Sequence, residues 1–284
     1  MGIVLGDNRY GKAETRLVRV DRGTDRHTIT DLNVTTTLAG DLAATHLTGD
    51  NSGVLPTDTQ KNTVYAFARD GVGQIEDFGL RLARHFVDET PTIHRARVHI
   101  QQYTWDRLGH HSFSRGAGTR TATVCYDGEQ AWVVSGVEDL VVLNTTGSEF
   151  HGYHKDRYTT LPETTDRILA TAVTARWRHV AAERADWAAS YAGSTRHLLA
   201  AFADTHSLSL QQTLYAMGQR VLSTRDEVVE VRLALPNKHH FLVDLAPFGL
   251  DNPGEVFYAA DRPYGLIEGT VLRDDAPPAG LAWW

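Results

Sequence analysis

The sequence predicts an α+β chain built from two similar halves, and three observations carry that reading. Thr15-Arg16-Leu17-Val18-Arg19-Val20 and His27-Thr28-Ile29-Thr30-Asp31-Leu32-Asn33-Val34 alternate polar and apolar side chains around a turn at Asp21-Arg22-Gly23, the signature of a long hairpin. Ile75, Phe78, Leu82 and Phe86 recur at helical spacing, with Glu76, Arg81 and Arg84 off that stripe. From about residue 120 the order strand–strand–helix–helix–strand–strand returns, so units spanning 1–120 and 121–284 are expected. Thr63-Val64-Tyr65-Ala66 is echoed by Thr213-Leu214-Tyr215-Ala216, 150 positions later and about half the chain away.

Residues 39–56, with Gly40, Gly49, Gly53 and Pro56, read as a less regular connection. Thr57 and Asp58, both good N-cap types, precede Val64, Tyr65, Phe67 and Ala68, and Gly71 and Gly73 close that helix before the one at 75–86. Strands are expected near 94–105, at 122–126 and at 137–143, with a polar loop over 107–119 and a turn at Asp127-Gly128. Helical stretches are expected at roughly 163–170, 186–204 and 207–223. Val229, Val231 and Leu233 then alternate with Glu230, Arg232 and Ala234 until Pro236, which has no N–H to donate to a ladder. Phe241 to Leu245 alternates again, and a last strand covers Gly265 to Leu272. Asn237 and His239 have the period-2 spacing that puts an amide and an imidazole on one face, able to hold a small polar molecule and move a proton.

A length of 284 residues with 42% apolar and 22% charged content is that of a globular chain with a substantial core. A net charge of −7 argues against nucleic acid as partner, since backbone binding needs clustered Lys and Arg. Cys125 is the only cysteine, so neither an internal disulfide nor a Cys-based zinc cluster is expected. The fourteen histidines include two adjacent pairs, His110-His111 and His239-His240, which lack the His-x-x-x-His spacing of a helical metal site; no metal is expected. Ile3-Val4-Leu5 is too short for a signal-peptide core, and no run reaches membrane-spanning length, so no membrane partner is expected. The terminal Trp283-Trp284 is too apolar for a free tail and should dock on a subunit surface.

Leu235-Pro236-Asn237-Lys238-His239 resembles the corresponding motif of the urate oxidase (uricase) family. The resemblance extends through Tyr10-Gly11-Lys12, Thr57-Asp58-Thr59-Gln60-Lys61-Asn62-Thr63, Gly147-Ser148-Glu149-Phe150 and Tyr158-Thr159-Thr160-Leu161. Asp166-Arg167-Ile168-Leu169, Gln211 and Pro263-Tyr264-Gly265-Leu266-Ile267 complete it, in the family's order and at compatible spacings. Asn144 departs from the pattern, which usually has lysine there.

The resemblance implies tandem tunnelling-fold units, each an antiparallel sheet with helices on one face, closing as a homotetramer into a barrel-like tunnel with sites between subunits. It implies oxidation of urate by O2 without metal, flavin or other cofactor. Arg167 would grip the purine edge and Gln211 the opposite one, with Phe150 stacked beneath. Lys12, Thr57 and His239 would form the proton relay, Lys12 made neutral by burial and by a cation such as Arg167. Asn237 with Thr57 would hold O2 and then water, Leu210 and Ile267 would supply apolar walls, and Thr57 and Asp58 would come from a neighbouring subunit. By itself, Arg167 beside Asp166 would read as an ordinary salt bridge. No Ser-Lys-Leu peroxisomal address ends the chain, so a cytoplasmic, bacterial protein is expected. Two rivals are a pterin- or guanine-nucleotide enzyme of the same fold, whose zinc-dependent members need Cys/His ligands that this chain barely offers, and an inactive purine-binding scaffold.

Overall fold

The computed structural model describes residues 2–183, 186–260 and 262–284. The first half runs β1 (Tyr10–Asp21), β2 (Thr28–Gly40), a one-turn α1 (Ala43–Leu47), α2 (Thr57–Arg69), α3 (Ile75–Asp88), β3 (Ile93–Arg107) and β4 (Phe113–Tyr126). The second runs β5 (Ala131–Asn144), β6 (Leu169–His179), α4 (Trp187–Asp204), α5 (Leu210–Thr224), β7 (Val228–Asn237), the short pair β8 (His240–Leu242) and β9 (Phe257–Ala259), and β10 (Gly265–Leu272).

Eight strands form one antiparallel sheet in the order β1-β2-β3-β4-β5-β6-β7-β10, with β8 and β9 paired separately. The alternation along each strand decides which face is covered. In β3, Val98 and Ile100 are fully buried with Phe78 and Leu82 of α3, whereas Arg97, His99 and Gln101 of the other face are only partly buried. In β7, Val231, Leu233 and Leu235 are buried with Leu214, Met217 and Val221 of α5, while Arg232 between them is exposed. The helices therefore lie on one face, over two cores, and the α+β antiparallel expectation holds.

Between the cores lies a polar seam. Glu76 of α3, fully buried, accepts from Arg120 Nη2 of β4 at 2.6 Å and from Ser135 Oγ of β5 at 2.7 Å. Ser135 Oγ is 2.9 Å from His179 Nε2 of β6, and Trp187 of α4 reaches back to Asp77 of α3 at 2.7 Å.

Several expectations are corrected. Residues 163–168 are not helical; Thr164 bridges Phe150, and the Ile168-Leu169-Ala170 run enters a strand, because a short apolar run suits extended chain as well as helix. The polar stretch 107–119 is mostly strand: β3 and β4 stay paired through Trp105–Arg115 and Arg107–Phe113, and only 108–112 turns. His110 lies at that tip, its carbonyl taking the His27 N–H at 3.0 Å, and the His111 ring is 6.2 Å from that of His27. Pro56, not Thr57, is the N-cap of α2, and no side chain caps it. The Thr63/Thr213 echo falls on α2 in one half and α5 in the other, which pack differently: α2 against β1, α5 against β7 and β10, so it marks no repeat. The run 241–245 is strand only to Leu242.

The terminal tryptophans dock on the chain's own sheet. Arg232 of β7 lies over the Trp283 ring at 3.7 Å, and Arg9 and Arg95 lie over Trp284 at 5.7 and 5.6 Å. Asn144 donates to the Phe202 carbonyl at 3.0 Å, fastening the end of β5 to α4, a structural task independent of any ligand.

Candidate active site

β7 delivers Asn237 between β6 and β10, opposite Thr171 on one side and Gly265 on the other. The Lys238 N–H then bonds the Ala170 carbonyl at 2.8 Å and the Ala260 N–H bonds the His239 carbonyl at 2.9 Å, so the chain leaving the sheet stays anchored. The His239 ring stacks on Phe241, centroids 5.7 Å apart. Burial lowers its pKa first, with Arg167 and His240 adding to the effect, which keeps the imidazole neutral and able to accept a proton at neutral pH.

A cavity of about 500 Å³ opens beside these residues, walled by Phe150, Thr164, Arg167, Asn237, His239 and Phe241 among others. Phe150 is held by a two-way backbone pairing with Thr164, at 2.8 and 3.0 Å, and its ring stacks on Tyr153 at 4.9 Å. Arg167 does not pair with Asp166. That carboxylate accepts from Thr146 Oγ1 at 2.9 Å and from the Gly147 N–H at 3.2 Å, which leaves the guanidinium to point elsewhere. Arg167 Nε donates to the buried Ser148 Oγ at 3.2 Å and its guanidinium carbon lies 5.2 Å from the Phe150 ring centre. The cavity thus combines an aromatic ring, a fork of donors, an amide and an imidazole. That set suits a flat, electron-rich, acceptor-bearing ring.

Leu210 and Gln211 open α5, which is tied to this loop because Ser207 bridges Ser148, with Glu149 N–H to the Ser207 carbonyl at 2.7 Å. Gln211 is exposed and outside the cavity wall, and Leu210 is 2% exposed within the second core. Ile267, opposite Leu235 in β10, packs on that core; a methyl at Gly265 would lie 3.8 Å from Ile267 Cδ1 and 4.0 Å from Asn237 Cβ, so the two sit around one gap.

Lys12, Thr57 and Asp58 form a second cluster at the opposite edge of the sheet. Lys12 stands at a bulge in β1, where Glu14 adopts a positive φ, and its N–H reaches Thr36 Oγ1 at 3.4 Å. Thr36 donates to the buried Gln60 Oε1 at 2.7 Å, so α2 with Thr57 at its start is fastened beside Lys12. The Asp58 carboxyl is held below its ordinary range chiefly by Lys61, then Asn62, with Lys12 contributing. Six strand spacings of about 4.8 Å lie between β1 and β7, roughly 29 Å measured along the sheet from this cluster to Asn237 within one chain.

Ser148, Glu149, Tyr153, Thr164 and Ser207 are the neighbours that the sequence reading did not single out. Ser148 and Glu149 sit inside the motif that supplies Phe150, and that adjacency was the available signal. Among the described residues no three His, Cys, Asp or Glu side chains gather as a metal site.

The uricase family profile matches residues 8–131 and 133–268. Uricase of Arthrobacter globiformis is 58% identical over 284 residues, covering 99% of this chain and 94% of that protein, and uricase of Dictyostelium discoideum is 38% identical over 95% and 97%. The crystal structure of the Arthrobacter globiformis uricase superposes with a TM-score of 0.95 at 56% identity over 98% of both chains. A uricase from Bacillus fastidious, at 23% identity and a TM-score of 0.83 over 96% of both chains, shares the fold. The chain belongs to the uricase family.

Proposed function

We propose that this protein oxidises urate with O2 and water, giving 5-hydroxyisourate and hydrogen peroxide. The observation that carries the reading is the Arg167 fork set over Phe150 in a cavity shared with Asn237 and His239, in a chain of the uricase family. Arg167 would meet a carbonyl oxygen and ring nitrogen of the purine together, Phe150 would support its plane, and Gln211 would close on the far edge.

The rest of the site comes, in this reading, from a second copy. Within one chain the Lys12–Thr57–Asp58 cluster is too far from the cavity to touch its contents, and β1 and β10 each end the sheet with an unpaired edge. Joining the edges of successive copies, as a homotetramer closing a barrel-like tunnel, carries Thr57 and Lys12 to the cavity of a neighbour. Lys12, Thr57 and His239 then relay the proton leaving urate, the resulting anion reduces O2, and Asn237 and Thr57 hold the oxygen species and the attacking water. Ile267 and Leu210 act as apolar support. Two tunnelling-fold units, about 1–120 and 121–284, complete the proposal, their joint falling within β4, which pairs with β5 and so makes the sheet continuous. Among the described residues no helix is long and apolar enough to cross a membrane, and we place the enzyme in the cytoplasm.

Loss of urate's ultraviolet absorbance with equimolar O2 uptake and peroxide release, in metal-free buffer, is the expected result. Urate bound without O2 uptake would refute the oxidase and leave a scaffold. Activity lost on chelation and regained with zinc would favour a metal-dependent relative.

A further inference from the structure

We propose that Glu149 is a positioning residue for this site, clamping the segment that carries Phe150 against the segment that leads into Gln211; this rests on the urate-binding reading above. The Glu149 carboxylate is gripped from both sides: Oε1 lies 2.5 Å from His206 Nε2 and Oε2 lies 2.8 Å from His151 Nε2. Only the first of these bonds crosses between segments, since His151 is two residues along the same loop. The Glu149 side chain is 20% exposed, against 59% for His206, so a partly exposed carboxylate is held by an outer imidazole. His206 first and His151 second keep the carboxyl below its ordinary range, so it stays ionised and an acceptor.

The backbone around it explains why the clamp matters. Gly147 and Glu149 pair with Ser207, the Ser207 N–H reaching the Gly147 carbonyl at 2.8 Å and the Glu149 N–H the Ser207 carbonyl at 2.7 Å. That two-rung ladder ends at Glu149, because the next residue turns away to pair with Thr164. Neighbouring side chains divide the tasks: Ser148 holds Arg167, Glu149 holds His206, and Phe150 faces the cavity. On the opposite segment, Ser209 accepts from the Gln212 N–H at 3.2 Å and so sets the first turn of α5, where Gln211 stands. Among the described residues Glu149 is therefore a side-chain link between the two segments from which the purine would be stacked and clamped.

An ion pair with one solvent-exposed partner, as here with His206 at the surface, contributes little to global stability, whereas a small misplacement of ligand-contacting groups costs much rate. The two roles separate on that ground. In the assembled full-length enzyme, Glu149→Ala is expected to lower kcat/KM for urate about tenfold, mostly through KM, with an unchanged thermal midpoint. Its affinity for xanthine, a flat purine probe, should weaken in parallel. Glu149→Gln, which can still accept from one imidazole, should recover to within about threefold of wild type. His206→Ala should reproduce the loss, and the Glu149→Ala/His206→Ala double variant should be no worse than either single change, since one contact is removed once.

Wild-type KM and kcat in Glu149→Ala, beside an active wild type, would overturn the clamp alone. A loss that follows a lowered thermal midpoint and is not recovered by Gln would also overturn it, assigning Glu149 to the fold. A wild type that neither binds xanthine nor consumes urate would overturn the functional reading and the clamp with it.

Discussion

Arg167 and Phe150 are coupled through one intervening group: Ser148 Oγ holds Arg167 Nε at 3.2 Å, and the guanidinium carbon stands 5.2 Å from the Phe150 ring centre. Among the described residues the two terminal nitrogens of Arg167 have no hydrogen-bond partner, and Asp166 is occupied elsewhere. A cation with a fixed orientation, free donors and an aromatic ring beside it is pre-organised for a planar anion.

Replacing that fork tests the grip. Arg167→Ala should weaken urate binding by about 3 kcal/mol, on the order of a hundredfold, and Arg167→Lys should recover little, because an ammonium cannot meet two acceptors in one plane. The check is KM together with the xanthine dissociation constant. Near-normal affinity in the alanine variant would remove Arg167 from the site.

The separation of the two clusters makes a sharper claim about assembly. Lys12→Ala and His239→Ala homo-oligomers should each be nearly inactive. Refolded together from denaturant in equal amounts, they should regain about a quarter of wild-type activity, since a site that draws its halves from two copies receives both intact with that frequency. No recovery, in mixtures shown by mass to be hybrid, would mean that both residues serve one chain's site or that one of them serves none.

Acid stability should be set partly by His179. It is 5% exposed, and burial pushes its pKa down to about 4 from an ordinary value near 6.5. The unfolded chain therefore binds the proton more readily between these values, so stability present above pH 6.5 is lost as pH falls toward 4. Glu76, raised by its burial, acts with the opposite sign on the same seam. The contribution of His179 is isolated by comparison with His179→Gln: between pH 7 and 4 the wild type should lose about 3 kcal/mol more than the variant. Parallel pH profiles in urea titrations would show that His179 does not titrate with unfolding.

How far the sequence could be read depended on whether a residue's partners were local. The strands of β7 and the stripe of α3 were legible because alternation and helical spacing record which side faces the core. Asn237 and His239 do wall one cavity, but not as the strand-face pair their spacing suggests, because β7 ends at Asn237 and His239 follows outside the strand; motif order singled out Arg167, Phe150, Lys12 and Thr57 as candidates. The stretch before β6 was misread as helix because its fate is set by the Phe150–Thr164 bridge, a contact between loops. Likewise nothing in the order Asp166-Arg167 shows that Asp166 turns to Thr146 and Gly147, or that Glu149 meets His206 fifty-seven positions away.

One last prediction tests the packing that carries Ile267 and the β10 edge. Gly218 lies in the middle of α5, where alanine would ordinarily be favoured by about 1 kcal/mol. Here an added methyl would stand 2.6 Å from Val271 Cγ2 and 2.8 Å from Val271 Cβ. Val271 is 8% exposed and β-branched, so it has little rotamer freedom with which to yield. Overpacking of this kind costs about 1–3 kcal/mol, so the two effects oppose and the steric one should win. Gly218→Ala is expected to be destabilised by about 1 kcal/mol, and Val271→Ala should itself be destabilised by the lost packing. The double variant should be more stable than the sum of the singles, because the alanine fills space that the valine vacates. Chemical denaturation of the four proteins measures that coupling. A Gly218→Ala protein more stable than wild type would place α5 farther from β10 than these contacts allow, and with it the support beneath Ile267.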